Sequence, residues 1–171
     1  SEKDRHVICL GADPIVNSSR TGSLDPMLIS WSDQESATEW EPKATNSAGS
    51  LRISSGSEIV AGISAREEVL IWTDISMYSM QYVGPPYTFG INLINMGVGS
   101  ISPKSPVNTP RGVFWIDRKG FYTYDGAVSP VPCSVHYYVF SDFNEGQAYK
   151  VFGFVNKQFN EVGWYYCSSS S

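Results

Sequence analysis

A tryptophan followed two residues later by an aspartate occurs three times in this 171-residue chain, as Trp31-Ser32-Asp33, Trp72-Thr73-Asp74 and Trp115-Ile116-Asp117. The tryptophans stand 41 and 43 residues apart (31 to 72, 72 to 115), and a degraded copy, Phe154-Val155-Asn156, comes 39 residues after the third. A period near 40 residues, built from strand-like segments, points to one supersecondary unit used repeatedly, as in the blades of a β-propeller. In such a unit the tryptophan packs between neighbouring sheets, where its large area stabilises most, and the aspartate at the strand end accepts hydrogen bonds from turn amides. The aromatic six residues after the tryptophan, Tyr78 or Phe121, then falls on the returning strand of a hairpin. The alternative is chance recurrence in an aromatic-rich chain.

Composition supports strands and turns. The chain is 42% hydrophobic and 17% charged, which excludes a disordered polymer. Aromatic residues make up 13%, and 15 Gly and 10 Pro accompany them. Low charge with many aromatics further suggests that a partner covers part of the outer surface. Net charge is −5, and the 12 Lys and Arg are scattered, so tight gripping of phosphates is not expected. Cys9, Cys133 and Cys167 are isolated, without metal-ligand spacing, and read as buried free thiols made in a reducing compartment. There is no 18-residue apolar run and no signal peptide, hence no expected membrane anchor. The first residue is Ser1 and the last strand is followed at once by Ser168–Ser171, so residues 1–171 read as a single propeller-like region cut from a longer chain.

Along the chain, strands are expected at Arg5–Leu10, Met27–Ser32, Val69–Asp74, Met77–Val83 and Phe89–Asn95. A tight hairpin is expected between Leu51–Ser54 and Glu58–Ser64 through Ser55-Gly56-Ser57. Pro103, Pro106 and Pro110 bar Ser102–Arg111 from a central strand. The clearest hairpin is Val113–Asp117 with Phe121–Asp125 around Arg118-Lys119-Gly120. Val135–Phe140 reads as a strand, and Ser141–Gln147 as a helical turn with Asp142 and Glu145 as a capping box. Lys150–Val155 and Glu161–Cys167 form the last hairpin. At four strands per blade, the 13 or 14 strands predict an all-β fold of three to four propeller blades.

Several words in the chain, taken in order, resemble the tail nozzle (packaged-DNA stabilisation, tail hub or tubular) proteins of short-tailed bacteriophages. They are Leu28-Ile29-Ser30-Trp31-Ser32-Asp33 with Glu39-Trp40 and Ala48-Gly49-Ser50-Leu51-Arg52, then Val69-Leu70-Ile71-Trp72-Thr73-Asp74 with Met77-Tyr78-Ser79-Met80-Gln81-Tyr82 and Gly84-Pro85-Pro86-Tyr87. Phe121-Tyr122-Thr123-Tyr124-Asp125-Gly126 and Asn160-Glu161-Val162-Gly163-Trp164-Tyr165-Tyr166 complete the set, over residues 25 to 167. The resemblance implies a structural virion protein, made in the host cytoplasm. It implies a propeller on each subunit of a hexameric ring, docked to other tail proteins, around a channel through which DNA passes without tight or sequence-specific binding. It implies no catalytic residues; from the residues themselves no metal and no cofactor are expected.

Other chemistries are weaker on the residues themselves. Asp33, Glu35, Glu39 and Glu41 lack the glycine and fixed offsets of a calcium loop and read as a solvated loop, with a cation at a subunit contact as the alternative. Glu67, Glu68, Asp74 and Asp117 are the candidates for a paired-carboxylate glycosidase, but most of them sit at turns, where acids are common. His6 and His136 have no nucleophile in a recognisable elbow, and Gly97-Val98-Gly99 lacks the Lys and helix of a phosphate loop. Tyr87 and Phe89, after the double proline, are candidate exposed contacts for a partner, with packing between blades as the alternative. The competing function is a propeller-type glycan-binding module at a virion or cell surface.

Overall fold

The computed structural model describes residues 2–170. Strands account for 49% of the chain and helix for 8%, which bears out the all-β expectation. The first sheet consists of β1 (Glu2–Lys3), β2 (His6–Ala12), β5 (Asp25–Trp31) and β6 (Gly49–Arg52), with the small hairpin β3 (Ile15–Val16)–β4 (Ser19–Arg20) inserted. The second is β7 (Ile59–Ser64), β8 (Val69–Thr73), β9 (Ser76–Gly84) and β10 (Thr88–Met96). The third is β11 (Val107–Thr109), β12 (Gly112–Asp117), β13 (Gly120–Tyr124) and β14 (Val128–Pro130), and a last hairpin pairs β15 (Phe152–Asn156) with β16 (Glu161–Tyr165). Within each four-stranded sheet every strand pairs antiparallel with the next in chain order. Among the described residues these sheets do not close into a propeller or barrel.

The sheets stack face to face, and the alternation of side chains along a strand decides which residue meets which neighbour. One core joins Ile8, Met27, Ile29 and Trp31 of the first sheet to Val69, Ile71, Met80 and Phe89 of the second. A second core joins Leu70, Trp72 and Met77 to Val113, Trp115 and Tyr124 of the third. β8 therefore sends successive side chains to opposite neighbours. All five of its residues are buried, which is why Val-Leu-Ile-Trp is an unbroken apolar run with no polar alternation before Thr73.

Three sequence expectations fail here. Leu51–Ser54 and Glu58–Ser64 do not form a hairpin: β6 pairs with β5 and β7 with β8, so Ser55-Gly56-Ser57 carries the chain from one sheet to the next. Val135–Phe140 is not a strand but most of a helix, α1 (His136–Asp142), none of whose residues is buried. No capping box forms at Asp142, because that residue ends α1; a 3-10 helix follows at Glu145–Lys150, and its N-cap residue Asn144 makes no side-chain cap bond. Local apolar content suggested a strand, but the segment pairs with none of the sheets. The proline-flanked β11 is an edge strand, as the prolines require.

Candidate functional site

The Trp-x-Asp units sit where sheets meet, but not on equivalent strands. Trp72 and Trp115 lie on the second strands of their sheets, and Trp31 on the third strand of the first. The even spacing across the first interval thus joins two different strand positions. Trp72 and Trp115 pack on each other with ring centroids 5.2 Å apart, whereas Trp31 packs edge-on against Phe89 at 5.3 Å in the other core. The returning-strand aromatics are where expected, but the registers differ: Trp72 faces Met77, and Trp115 faces Tyr122.

What the units share is a link to a serine two residues ahead of an adjoining strand. Asp33 accepts from Ser47 N–H at 2.9 Å and from the Ser47 hydroxyl at 2.7 Å, just before β6. Asp74 accepts from Ser57 N–H at 2.8 Å and from its hydroxyl at 2.7 Å, just before β7. In the third sheet Ser105 precedes β11 and bonds the backbone of Ile116, accepting from its N–H at 2.7 Å and donating to its carbonyl at 3.3 Å. The geometry is common because an antiparallel neighbour on either side begins beside the end of the Trp strand. Asp117 instead accepts from Lys119 N–H at 3.3 Å within its own turn. Indole donors reinforce the pattern: Trp31 Nε1 donates to Ser47 O at 2.9 Å and Trp115 Nε1 to Gly99 O at 3.0 Å. Gly49 lies flat against the Trp31 ring, where an added Cβ would sit 2.5 Å from a ring carbon. Trp72 Nε1 is buried without a partner.

The three carboxyls differ electrostatically. The Ser47 N–H and then its hydroxyl hold Asp33 below the usual carboxylate range. At Asp74 burial pushes upward, yet the Ser57 N–H and hydroxyl prevail and the carboxyl is lowered. At Asp117 burial dominates over the turn amides and raises it.

In the fourth unit, Phe154 lies on β15 with 38% of its surface exposed, and Asn156 donates to Glu161 at 3.4 Å across its own hairpin. The indole that anchors this hairpin is Trp164, which the spacing did not single out: its Nε1 donates to Ser105 O at 2.8 Å, and its ring lies 5.4 Å from Phe121. The serines were missed as well, although Ser47-Ala-Gly49, Ser57-Glu-Ile59 and Ser105-Pro-Val107 share a spacing ahead of the strand.

Other candidates resolve individually. Tyr87 is 77% exposed, but Phe89 is only 4% exposed and belongs to the core against Trp31 and His6, so it is not a surface contact. Glu68 and Asp74 lie at opposite ends of β8, about 20 Å apart at ~3.3 Å per residue, beyond the reach of a glycosidase pair. Glu68 accepts from the Ser79 hydroxyl. In the acidic loop, Glu35 pairs with Arg5, and Lys43 bridges Glu39 and Glu41. No metal-holding cluster occurs among the described residues. His6 Nδ1 donates to Ser32 O at 2.7 Å, and His136 Nε2 to Lys119 O at 3.1 Å. Lys119 Nζ donates to Gly97 O at 2.7 Å beside the glycine pair. Cys9 is exposed rather than buried, because His6 and Ile8 take the inward face of β2 and the alternation turns Val7 and Cys9 outward. Cys133 and Cys167 are partly exposed free thiols. No helix among the described residues is long and apolar enough to cross a membrane.

Between the third sheet and the last hairpin lies a cavity of about 890 Å³, lined by Phe114, Ile116, Phe121, Val139, Val162 and Trp164. No protein-family model matches this chain, and a search of curated proteins gives no match.

Proposed function

We propose that this chain is a propeller portion of a tail nozzle subunit from a short-tailed bacteriophage: a structural, non-enzymatic virion protein. The observation that carries the reading is the second sheet, buried on both faces between two other antiparallel meanders, as an inner propeller blade is. The three sheets are successive blades and the last hairpin begins a fourth. Subunits assemble as a hexameric ring with other tail proteins, and DNA passes through a channel whose anionic character repels phosphate.

Electron microscopy of the purified protein, alone and mixed with its tail neighbours, tests this reading. Closed rings of sixfold symmetry support it; particles that stay monomeric in both samples refute it. A glycan-binding module is the second reading. It is favoured by the exposed row of Phe152, Phe154 and Tyr165 on the last hairpin, with ring centroids 5.0 and 5.1 Å apart, a surface that can stack on a sugar ring. Saturable binding on a glycan array, lost on Tyr165→Ala, would select it.

A further inference from the structure

Where the first sheet meets the second, the acidic loop (33–47) and the tip of the β9–β10 hairpin converge on one residue, Ser47. Its carbonyl accepts from Trp31 Nε1 at 2.9 Å and from the Thr88 hydroxyl at 3.2 Å. Its N–H and hydroxyl donate to the Asp33 carboxylate at 2.9 and 2.7 Å, and its hydroxyl accepts from Gln34 N–H at 3.1 Å. Both partners of this junction carry backbone strain. Thr88 has φ of 67° and, among the described residues, is alone in being β-branched at positive φ. A branched side chain crowds the backbone in that region, so the shape persists only where the surroundings impose it. In the loop, Glu35 has φ of 60°, and its N–H donates at 2.8 Å to the carbonyl of Arg5, which has φ of 63°. Thr88 is buried, and Phe89 after it packs on Trp31 and His6, while Tyr87 before it is exposed.

We infer that these contacts form a conformational latch. Asp33 fixes Ser47, Ser47 holds Thr88 in its strained shape, and loss of the first link lets Thr88 relax to negative φ and frees the tip that carries Tyr87. Two features separate a latch from ordinary packing. The strain gives the tip a second, relaxed conformation to move to. The link from loop to tip runs through a single serine, which stands between Asp33 and Thr88. A group that competes for the Asp33 carboxylate on the first sheet therefore alters how Tyr87 is presented on the second, through a continuous chain of bonds. The inference rests on hydrogen bonds and backbone shape and is independent of the tail nozzle reading.

Hydrogen exchange on the 171-residue chain tests the latch, with the amides of the fully buried β8 as the standard for an intact fold. Asp33→Asn and, separately, Ser47→Ala are expected to speed exchange at Tyr87, Thr88 and Phe89 roughly fivefold or more while β8 stays protected, about the effect of one lost hydrogen bond. Thr88→Gly adopts φ of 67° without strain and lacks the hydroxyl, so it uncouples the tip. Adding Asp33→Asn or Ser47→Ala to Thr88→Gly is therefore expected to leave tip exchange unchanged. Tip exchange that neither single variant moves, the same acceleration in the Thr88→Gly background, or acceleration that extends to β8 in both single variants would each overturn the inference.

Discussion

Burial raises the Asp117 carboxyl above its ordinary value of 3.8, whereas serine hydrogen bonds lower that of Asp74, so the aspartates of two Trp-x-Asp units respond oppositely to pH. A raised pKa means that the folded state holds the proton more tightly, and folding loses stability as pH rises from 3.8 through the folded value. A lowered one contributes stability above 3.8 that disappears as pH falls through the folded value. In denaturant melts, Asp117→Asn should therefore be no less stable than the parent at neutral pH and should remove that part of the slope. Asp74→Asn should be less stable at neutral pH, with the gap narrowing towards acid. The indoles divide in the same way. Trp115 donates to Gly99 and Trp72 donates to nothing, so Trp115→Phe should cost about 1 kcal/mol more than Trp72→Phe in the same assay.

At the level of elements, the crossing from β6 to β7 depends on one backbone shape. Gly56 has φ of 119°, and a Cβ there would sit 2.6 Å from both Asp74 Oδ1 and Thr73 Oγ1, within the loop that Asp74 holds. Gly56→Ala should destabilise by roughly 1–3 kcal/mol in thermal or denaturant melts through backbone strain and the displaced serine link. β8, covered on both faces, should contain the slowest-exchanging amides, while the two-residue strands β3 and β4 and the exposed α1 exchange fastest. Uniform exchange across these elements would contradict the layered burial.

For the whole molecule, stacking rather than closure organises the fold: each sheet is a local meander, and contacts between sheets form two separate apolar cores. The charge balance belongs to this scale too. With net charge −5 and cations engaged in pairs such as Arg5–Glu35 and Arg52–Asp25, labelled duplex DNA should bind no more tightly than about 10⁻⁴ M at physiological salt, measured by anisotropy. Micromolar binding would contradict an electrostatically repelling surface.

The sequence alone determined the strand class and most strand positions, since apolar runs such as Val69–Thr73 and the Val113–Asp117 hairpin have few other ways to be buried. It also located Trp31, Trp72 and Trp115 in the cores. Only the tertiary structure decided that Trp31 rides a third strand and the others second strands, because a spacing of about 40 residues does not count strands. It alone assigned Gly56 to a crossing rather than a hairpin, Phe89 to the interior, and Val135–Phe140 to a helix. Each of these depends on which sheet or edge lies alongside, and that is set by the stacking of distant segments rather than by local preference.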